Sequence, residues 1–387
     1  MIFKKICILT GTRAEYGQLK GLIELFVKSK NFKIKLIVTG SHLSSEFGST
    51  YLQIQKDQLQ IDKKIEILLS SDTQSGVVKS LNLLSLSLSD YFSNYKPDLL
   101  IILGDRYEVF AAAYTALIFE IPIAHIHGGE ITEGAFDDAF RHSITKMSNI
   151  HFVANKVYKK RVVQLGESPK RVFVVGGLGV DTILKTKIIK KGELESKLNF
   201  SFGKKNLLVT YHPETIKYNK SENDIDELLL ALNEFKDINL IFTMPNADTG
   251  NKNIINKIKK YVRERRNAKI FSSLGQENYY STLKIVDGVI GNSSSGLAEV
   301  PTFKKGTINI GRRQKGRLKA SSIIDCPATS LQIKRAIKKL YSREFQNILR
   351  FTQNPYGKGG ATKAIFDKIK KMKDKKIIEK YFYDIKK

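Results

Sequence analysis

A chain of 387 residues exceeds what one hydrophobic core usually supports, so two domains are expected. At 42% hydrophobic and 10% aromatic it can build real cores, which excludes a disordered chain. The net charge of +27 is mostly lysine spread along the chain and is not interleaved with base-stacking aromatics in any recognised module, so it points to solvated lysines and an anionic substrate rather than nucleic acid.

The start, "MIFKKICILTGTRAEYG", has too short an apolar stretch for a signal peptide and runs into Gly, Arg and Glu. It reads as a strand, "FKKICILT", with Cys7 as a small core residue. "FKIKLIVTG", "DLLIILGD", "IPIAHIHGG" and "IHFVAN" follow as further strands. Between them, stretches such as "AEYGQLKGLIELFVKSK" and "VVKSLNLLSLSLSDYFSNY" place apolar residues at helical spacing. The longest apolar run, "VFAAAYTALIF" at 109–119, falls well short of the roughly 20 residues needed to span a bilayer. Cys7 and Cys326 give neither a disulfide framework nor a zinc spacing, so a soluble cytoplasmic protein with no membrane partner is expected.

The strand–helix alternation restarts after a break near "VVGGLGVD" and "KTKIIKKGELESK", roughly residues 176–203. "KKNLLVTYHP", "INLIFTMPN", "AKIFSS", "DGVIGNSSSG" and "GTINIGRR" read as strands followed by turns, separated by helical segments such as "ENDIDELLLALNEFK". The expected class is therefore α/β, with two tandem Rossmann-like domains, residues 1–178 and 179–387, facing across a cleft. The last helix, from about Ala361, is too polar to form a domain and is expected to cross back to the N-terminal one.

In open α/β sheets, ligands bind beyond the carboxyl ends of the strands, and five polar clusters fall there: "TGTRAEYG", "GDRYE", "HIHGGE", "TYHPET" and "GNSSSG". "GNSSSG" opens a helix, and its small residues and hydroxyls suit a diphosphate or simply an N-cap. It lacks the spacing of a P-loop, and "GTRAEYG" is not GxGxxG, which favours a nucleotide-sugar over a dinucleotide. Arg13, Arg312, Arg313 and Arg317 could neutralise phosphate or form surface ion pairs.

The stretch "HIHGGEITEGAFDDAFRH" holds three of the chain's six histidines among Glu130, Glu133, Asp137, Asp138 and Arg141. Around His125 and His127 no HExxH or facial triad is visible; no metal site is expected. Acid–base work fits better, because crowded carboxylates and histidine shift one another's proton affinity, while His125 itself reads as a satisfied buried histidine.

Taken together, "GTRAEYG", "LGDRYEVFAAA", "IPIAHIHGGEITEGAFDDAFRHSITKMS", "TYHPET" and "GNSSSGLAEVP" resemble the UDP-N-acetylglucosamine 2-epimerase family, over nearly the whole chain and in order. The likeness is to its hydrolysing branch, which makes N-acetylmannosamine for sialic and related nonulosonic acids. The resemblance implies the glycosyltransferase-B architecture, no cofactor and a homodimer or homotetramer. It also implies a chemistry in which UDP leaves C1, a base removes the C2 proton, and water adds across the resulting glycal with inversion at C2.

By motif match, Asp105, Glu130, Asp138 and His212 look like the catalytic set, without a separate role for each. Asp137 is an alternative to Asp138. Arg13, Ser293, Ser294, Ser295 and Glu299 look like nucleotide contacts, with Arg317 and Tyr279, while Arg106, His127, Arg141 and His142 support the site. His127 stands where the non-hydrolysing branch has the acid of its HVEAG motif, and Glu130 lies three residues later, a departure that favours the hydrolysing branch. The reversible epimerase, a glycosyltransferase on the same fold and a basic binding protein remain the other readings, and uracil against guanine stays open.

Overall fold

Alternation along the first strand, β1 (Lys5–Thr10), sets up two cores: Ile6 and Ile8 enter one, and Cys7 and Leu9 enter the other. The computed structural model describes residues 3–69, 73–133, 136–212, 218–244, 251–372 and 377–385, so the part of "TYHPET" after His212 lies outside the described residues. The chain divides into two compact units, one of Met1–Glu130, Asp137–Thr182 and Tyr356–Lys387, the other of Ile131–Phe136 and Ile183–Pro355.

In the first unit β1 is followed by α1 (Arg13–Lys28), β2 (Lys33–Thr39), α2 (Tyr51–Lys56), β3 (Lys63–Ile65), α3 (Gln74–Asn94) and β4 (Leu99–Leu103). Then come α4 (Tyr107–Ile118), β5 (Ile123–Ile126), α5 (Asp137–Met147), β6 (Ile150–Val153), α6 (Lys156–Gln164) and β7 (Val172–Val174). The unit's main run of chain ends at Thr182, within α7 (Leu178–Lys185). The strands form one parallel sheet in the order β3-β2-β1-β4-β5-β6-β7.

The second unit contains α8 (Lys191–Leu198), β8 (Lys205–Thr210), α9 (Tyr218–Leu232), β9 (Ile238–Thr243), α10 (Asn251–Arg263) and β10 (Ala268–Phe271). It continues through α11 (Gln276–Ile285), β11 (Gly288–Gly291), α12 (Ser295–Ala298), β12 (Gly306–Ile310), β13 (Ile323–Cys326), α13 (Ser330–Leu340) and α14 (Arg343–Phe351). Its sheet is parallel too, ordered β10-β9-β8-β11-β12-β13. A final helix, α15 (Ala361–Lys371), belongs to the first unit.

Local chemistry explains the helix positions. The Thr12 hydroxyl caps α1 by accepting from Glu15 N at 3.2 Å, and Leu19, Leu22, Ile23 and Phe26 form its buried stripe. Ile365 and Ile369 of α15 join that core, and the Phe366 ring meets Phe26 at a 58° tilt with centroids 5.1 Å apart. Asp181 anchors the start of α15, its two oxygens accepting from Gly360 N and Thr362 N at 2.6 Å each. Among the described residues no helix is long and apolar enough to cross a membrane.

Three strands, β3, β7 and β13, go beyond the expected set; each is three or four residues long, edges its sheet and has only part of its length buried. The helix expected after "GNSSSG" is a single turn, α12, followed by a 3-10 turn at Val300–Phe303 in which Pro301 has no N–H to extend an α-helix.

Candidate active site

Each parallel sheet reverses its strand order once, between β1 and β4 in the first unit and between β8 and β11 in the second. Chains leaving such a pair of strands diverge to opposite faces and open a crevice at the strand ends. In the first unit the divergent loops carry Arg13 and Asp105; in the second they carry His212 and Ser293–Ser295.

Arg141 organises the first unit's cluster. It projects from α5 with 3% exposure, pairs through Nη2 with Asp105, and donates from Nη1 to the His127 carbonyl at 3.0 Å. The same Nη1 lies 4.0 Å from Glu130 Oε2. Glu130 is buried, and its Oε1 lies 2.9 Å from His127 Nδ1. One guanidinium therefore serves two carboxylates from the ends of two strands, which offsets the cost of burying them. Gly129 makes the turn possible: at φ +78°, a Cβ there would lie 2.5 Å from the Tyr158 carbonyl oxygen of α6. Arg161 of α6 donates to the Gly129 carbonyl and fixes the loop from below.

Strand alternation does not describe His127. β5 ends at Ile126, and His127 takes a left-handed backbone, φ +68°, so the pleat, which puts residues two apart on one face, does not place it beside His125. His125 is fully buried and satisfied as expected. Its Nε2 donates to the Gly104 carbonyl at 2.8 Å, Nδ1 lies 3.2 Å from the Thr145 hydroxyl, and burial pushes its pKa down to about 3.

Asp137 and Asp138 open α5, where acidic groups meet the positive end of the helix. Asp138 Oδ2 lies 3.5 Å from His142 Nε2 one turn on, and burial lowers the His142 pKa, with Asp138 opposing. Arg13 is exposed at the first turn of α1. Arg106 is committed to a neighbour, its Nε 3.2 Å from Oε2 of the fully buried Glu108.

His212 lies in the second unit, apart in the chain's division from the three carboxylates. It is buried after β8, and its backbone is clasped by Asn292: Asn292 Oδ1 accepts from His212 N at 2.7 Å, and Nδ2 donates to His212 O at 2.8 Å. Gly291 permits this approach, since a Cβ there would fall 1.9 Å from the Thr210 carbonyl oxygen. The Asn292 carbonyl accepts from Gln314 Nε2 at 2.8 Å and from Arg313 Nη1 at 3.2 Å.

Ser293 and Ser294 are partly exposed at the mouth of this turn. Ser295 joins a half-buried chain of hydroxyls: Tyr279 OH lies 2.6 Å from its Oγ, which donates to Glu299 Oε2, while Tyr280 OH donates to Glu299 Oε1 at 3.0 Å. Burial raises the Glu299 pKa, with Ser295 and Tyr280 opposing. Arg317 is held by the Ile131–Phe136 segment, donating to the Ile131 carbonyl at 3.1 Å and to the Thr132 hydroxyl at 2.9 Å.

Glu15, Tyr280, Asn292 and Gln314 were not among the expected site residues. Glu15 Oε2 accepts from Gly11 N at 2.7 Å, and burial together with nearby Glu108 raises its pKa to about 8, so it carries a proton at neutral pH. Its signal was the Thr12-x-x-Glu15 spacing of a capping box. Asn292 stands inside the quoted "GNSSSG", but its work is on backbone atoms that the sequence does not bring together.

Residues 26–370 match the family described as UDP-N-acetylglucosamine 2-epimerase. The chain is 42% identical to "GDP/UDP-N,N'-diacetylbacillosamine 2-epimerase (hydrolyzing)" of Campylobacter jejuni subsp. jejuni serotype O:2, covering 99% of both chains. It is 40% identical to "Polysialic acid biosynthesis protein P7" of Escherichia coli, covering 99% of this chain and 98% of the relative. Among solved structures, UDP-GlcNAc 2-epimerase from Neisseria meningitidis, bound to UDP-GlcNAc, superposes with a TM-score of 0.84 at 18% identity, covering 95% of this chain and 100% of that one. At that identity the likeness speaks to the fold.

Proposed function

The chain belongs to the UDP-N-acetylglucosamine 2-epimerase family, and we propose that it is a hydrolysing member: it converts a UDP- or GDP-linked 2-acetamido sugar and water to the free C2 epimer and the nucleoside diphosphate. The observation that carries the hydrolysing reading is the 42% identity, over the full length of both chains, to a relative named for that reaction.

The chemistry explains why several ionisable groups meet at the strand ends. With no carbonyl beside it, the C2 proton is not acidic. The C1–O bond breaks and its electron pair leaves with the diphosphate; the positive character left at C1 acidifies C2–H, a carboxylate takes the proton, and a C1=C2 double bond forms. A second group then delivers a proton to C2 from the other face while water supplies the hydroxyl at C1. Two faces require two positioned proton carriers, and Asp105, Glu130 and Asp138 are the candidates, with His212 assigned to the same set. Arg141 pairs with Asp105 and lies 4.0 Å from Glu130, which puts one cation beside both.

The second unit is assigned the nucleotide. Ser293, Ser294 and Ser295 are proposed to meet the diphosphate with hydroxyls and backbone N–H groups, and Tyr279, Glu299 and Arg317 to complete the nucleotide contacts. Because α12 is one turn long, this binding rests on local groups more than on a helix dipole. Arg13 is proposed to add a guanidinium to the leaving diphosphate. A cytoplasmic homodimer or homotetramer is further proposed. Two buried free thiols support the compartment, and Val78, Leu86, Leu117 and Ile118, left exposed on α3 and α4, support self-association.

A coupled assay with UDP- and GDP-linked N-acetylglucosamine side by side tests the reading. Release of the nucleoside diphosphate together with a free C2-inverted sugar is expected from one of them. A product that keeps its nucleotide would contradict it.

A further inference from the structure

His127 stands within the first unit's cluster, and the reaction scheme gives it no step. Its backbone at φ +68° lies in the left-handed region that few non-glycine residues adopt. Gly128 and Gly129 follow directly, so a glycine at 127 would meet the backbone demand without strain, and the histidine adds only its imidazole. That imidazole is 15% exposed, and its Nδ1 lies 2.9 Å from Glu130 Oε1. Its Nε2 is buried, with no hydrogen-bond partner among the described residues.

The hydrogen-bond logic fixes the tautomer. A carboxylate only accepts, so Nδ1 carries the proton and donates it, and Nε2 is left bare. A protonated Nε2 would be a buried donor with nothing to receive it. Among the described residues, the Glu130 carboxylate meets the loop after β5 through His127 and α5 through Arg141 Nη1 at 4.0 Å, and the same guanidinium pairs with Asp105 beyond β4. His127 as a donor and Arg141 as a cation each favour its ionised form.

We infer that His127 is a positioning residue that holds Glu130 ionised and aimed, so that Glu130 enters the reaction as the proton acceptor rather than the donor. This rests on the proposal that Glu130 belongs to the catalytic set, and it deepens that proposal by assigning a direction to the first proton transfer.

The test compares the wild type with His127→Gly, which suits the backbone and deletes the imidazole, His127→Asn, which tolerates the left-handed backbone and keeps a shorter N–H donor, and Glu130→Gln. Rates of nucleoside diphosphate release are measured against pH, with thermal melts to establish folding. His127→Gly is expected to lower kcat about 10- to 100-fold, short of the roughly 10²–10⁴-fold a general base itself contributes, with KM within about threefold. The acidic limb of its kcat profile should move to higher pH by about one unit, because a carboxylate stripped of a donor is easier to protonate. His127→Asn should fall between, and its profile decides the matter should the glycine variant not fold. An acidic limb that stays at the wild-type pH in a folded variant, while Glu130→Gln is inactive, overturns the positioning role alone. Full activity in Glu130→Gln overturns the catalytic reading, and this inference with it.

Discussion

Replacing Arg141 by Met should damage stability and turnover together. The side chain has 3% exposure, and its guanidinium joins Asp105, the His127 carbonyl and, at 4.0 Å, Glu130. Methionine fills much of the space and leaves two carboxylates without their shared cation. Breaking a buried pair from one side costs about 3–5 kcal/mol, largely from the charge left behind. At about 2–4 °C per kcal/mol for a unit of this size, melting should fall by about 6–20 °C. Part of that cost can be relieved by proton uptake on Asp105 or Glu130, which removes the ionised form the reaction uses. Turnover should therefore drop by about 10²–10⁴-fold at neutral pH and recover partly at higher pH. Arg141→Lys restores the charge but not the planar fork and should lie between. Calorimetric melting and a continuous assay of nucleoside diphosphate release on the same preparations read both effects. Melting within about 2 °C of wild type with undiminished turnover would refute the idea that Arg141 holds the cluster.

Asn292→Ala should cost about 2–4 kcal/mol in a denaturant melt, because the buried N–H and carbonyl of His212 both lose their partner; a change below about 0.5 kcal/mol would contradict the clasp. Arg13→Ala should weaken nucleoside diphosphate binding by about tenfold or more in calorimetric titration while leaving the fold intact, and unchanged affinity would remove Arg13 from the nucleotide site. Stability should fall with acid below about pH 6.5. Buried His125 and His42 are held down at about 3 and about 4, and burial lowers His151 as well, so the unfolded chain takes up their protons first; Glu15, raised to about 8, and Glu299, also raised, oppose with fewer protons, leaving a net loss of stability from pH 6.5 to 4.5. Denaturant melts that are flat over that interval would contradict this balance.

The interior strands of both sheets were legible because a strand buried on both faces reads as an unbroken apolar run, as in "CILT" of β1 and "LLIIL" of β4. The edges β3 and β7 were not: "KKI" and "VFV" are too short for periodicity to speak, and each is buried at one end only. Asp105 and Glu130 could be named because "GDR" and "HGGE", just beyond apolar runs, match the family's motifs. Strand periodicity says nothing of where His127 points, because β5 ends at Ile126 and a left-handed backbone begins at His127. Arg141 could be named as support, but its contacts with Asp105 and the His127 carbonyl span 36 and 14 residues of sequence and depend on how β4, β5 and α5 come together.

The central claim is proton exchange at C2 coupled to loss of the nucleotide, and turnover in D2O tests it most directly. With the UDP- or GDP-linked 2-acetamido sugar as substrate, the free C2-inverted product should carry one deuterium at C2, with the nucleoside diphosphate released in equal amount. Protium retained at C2, or an epimer still bearing its nucleotide, would contradict the account.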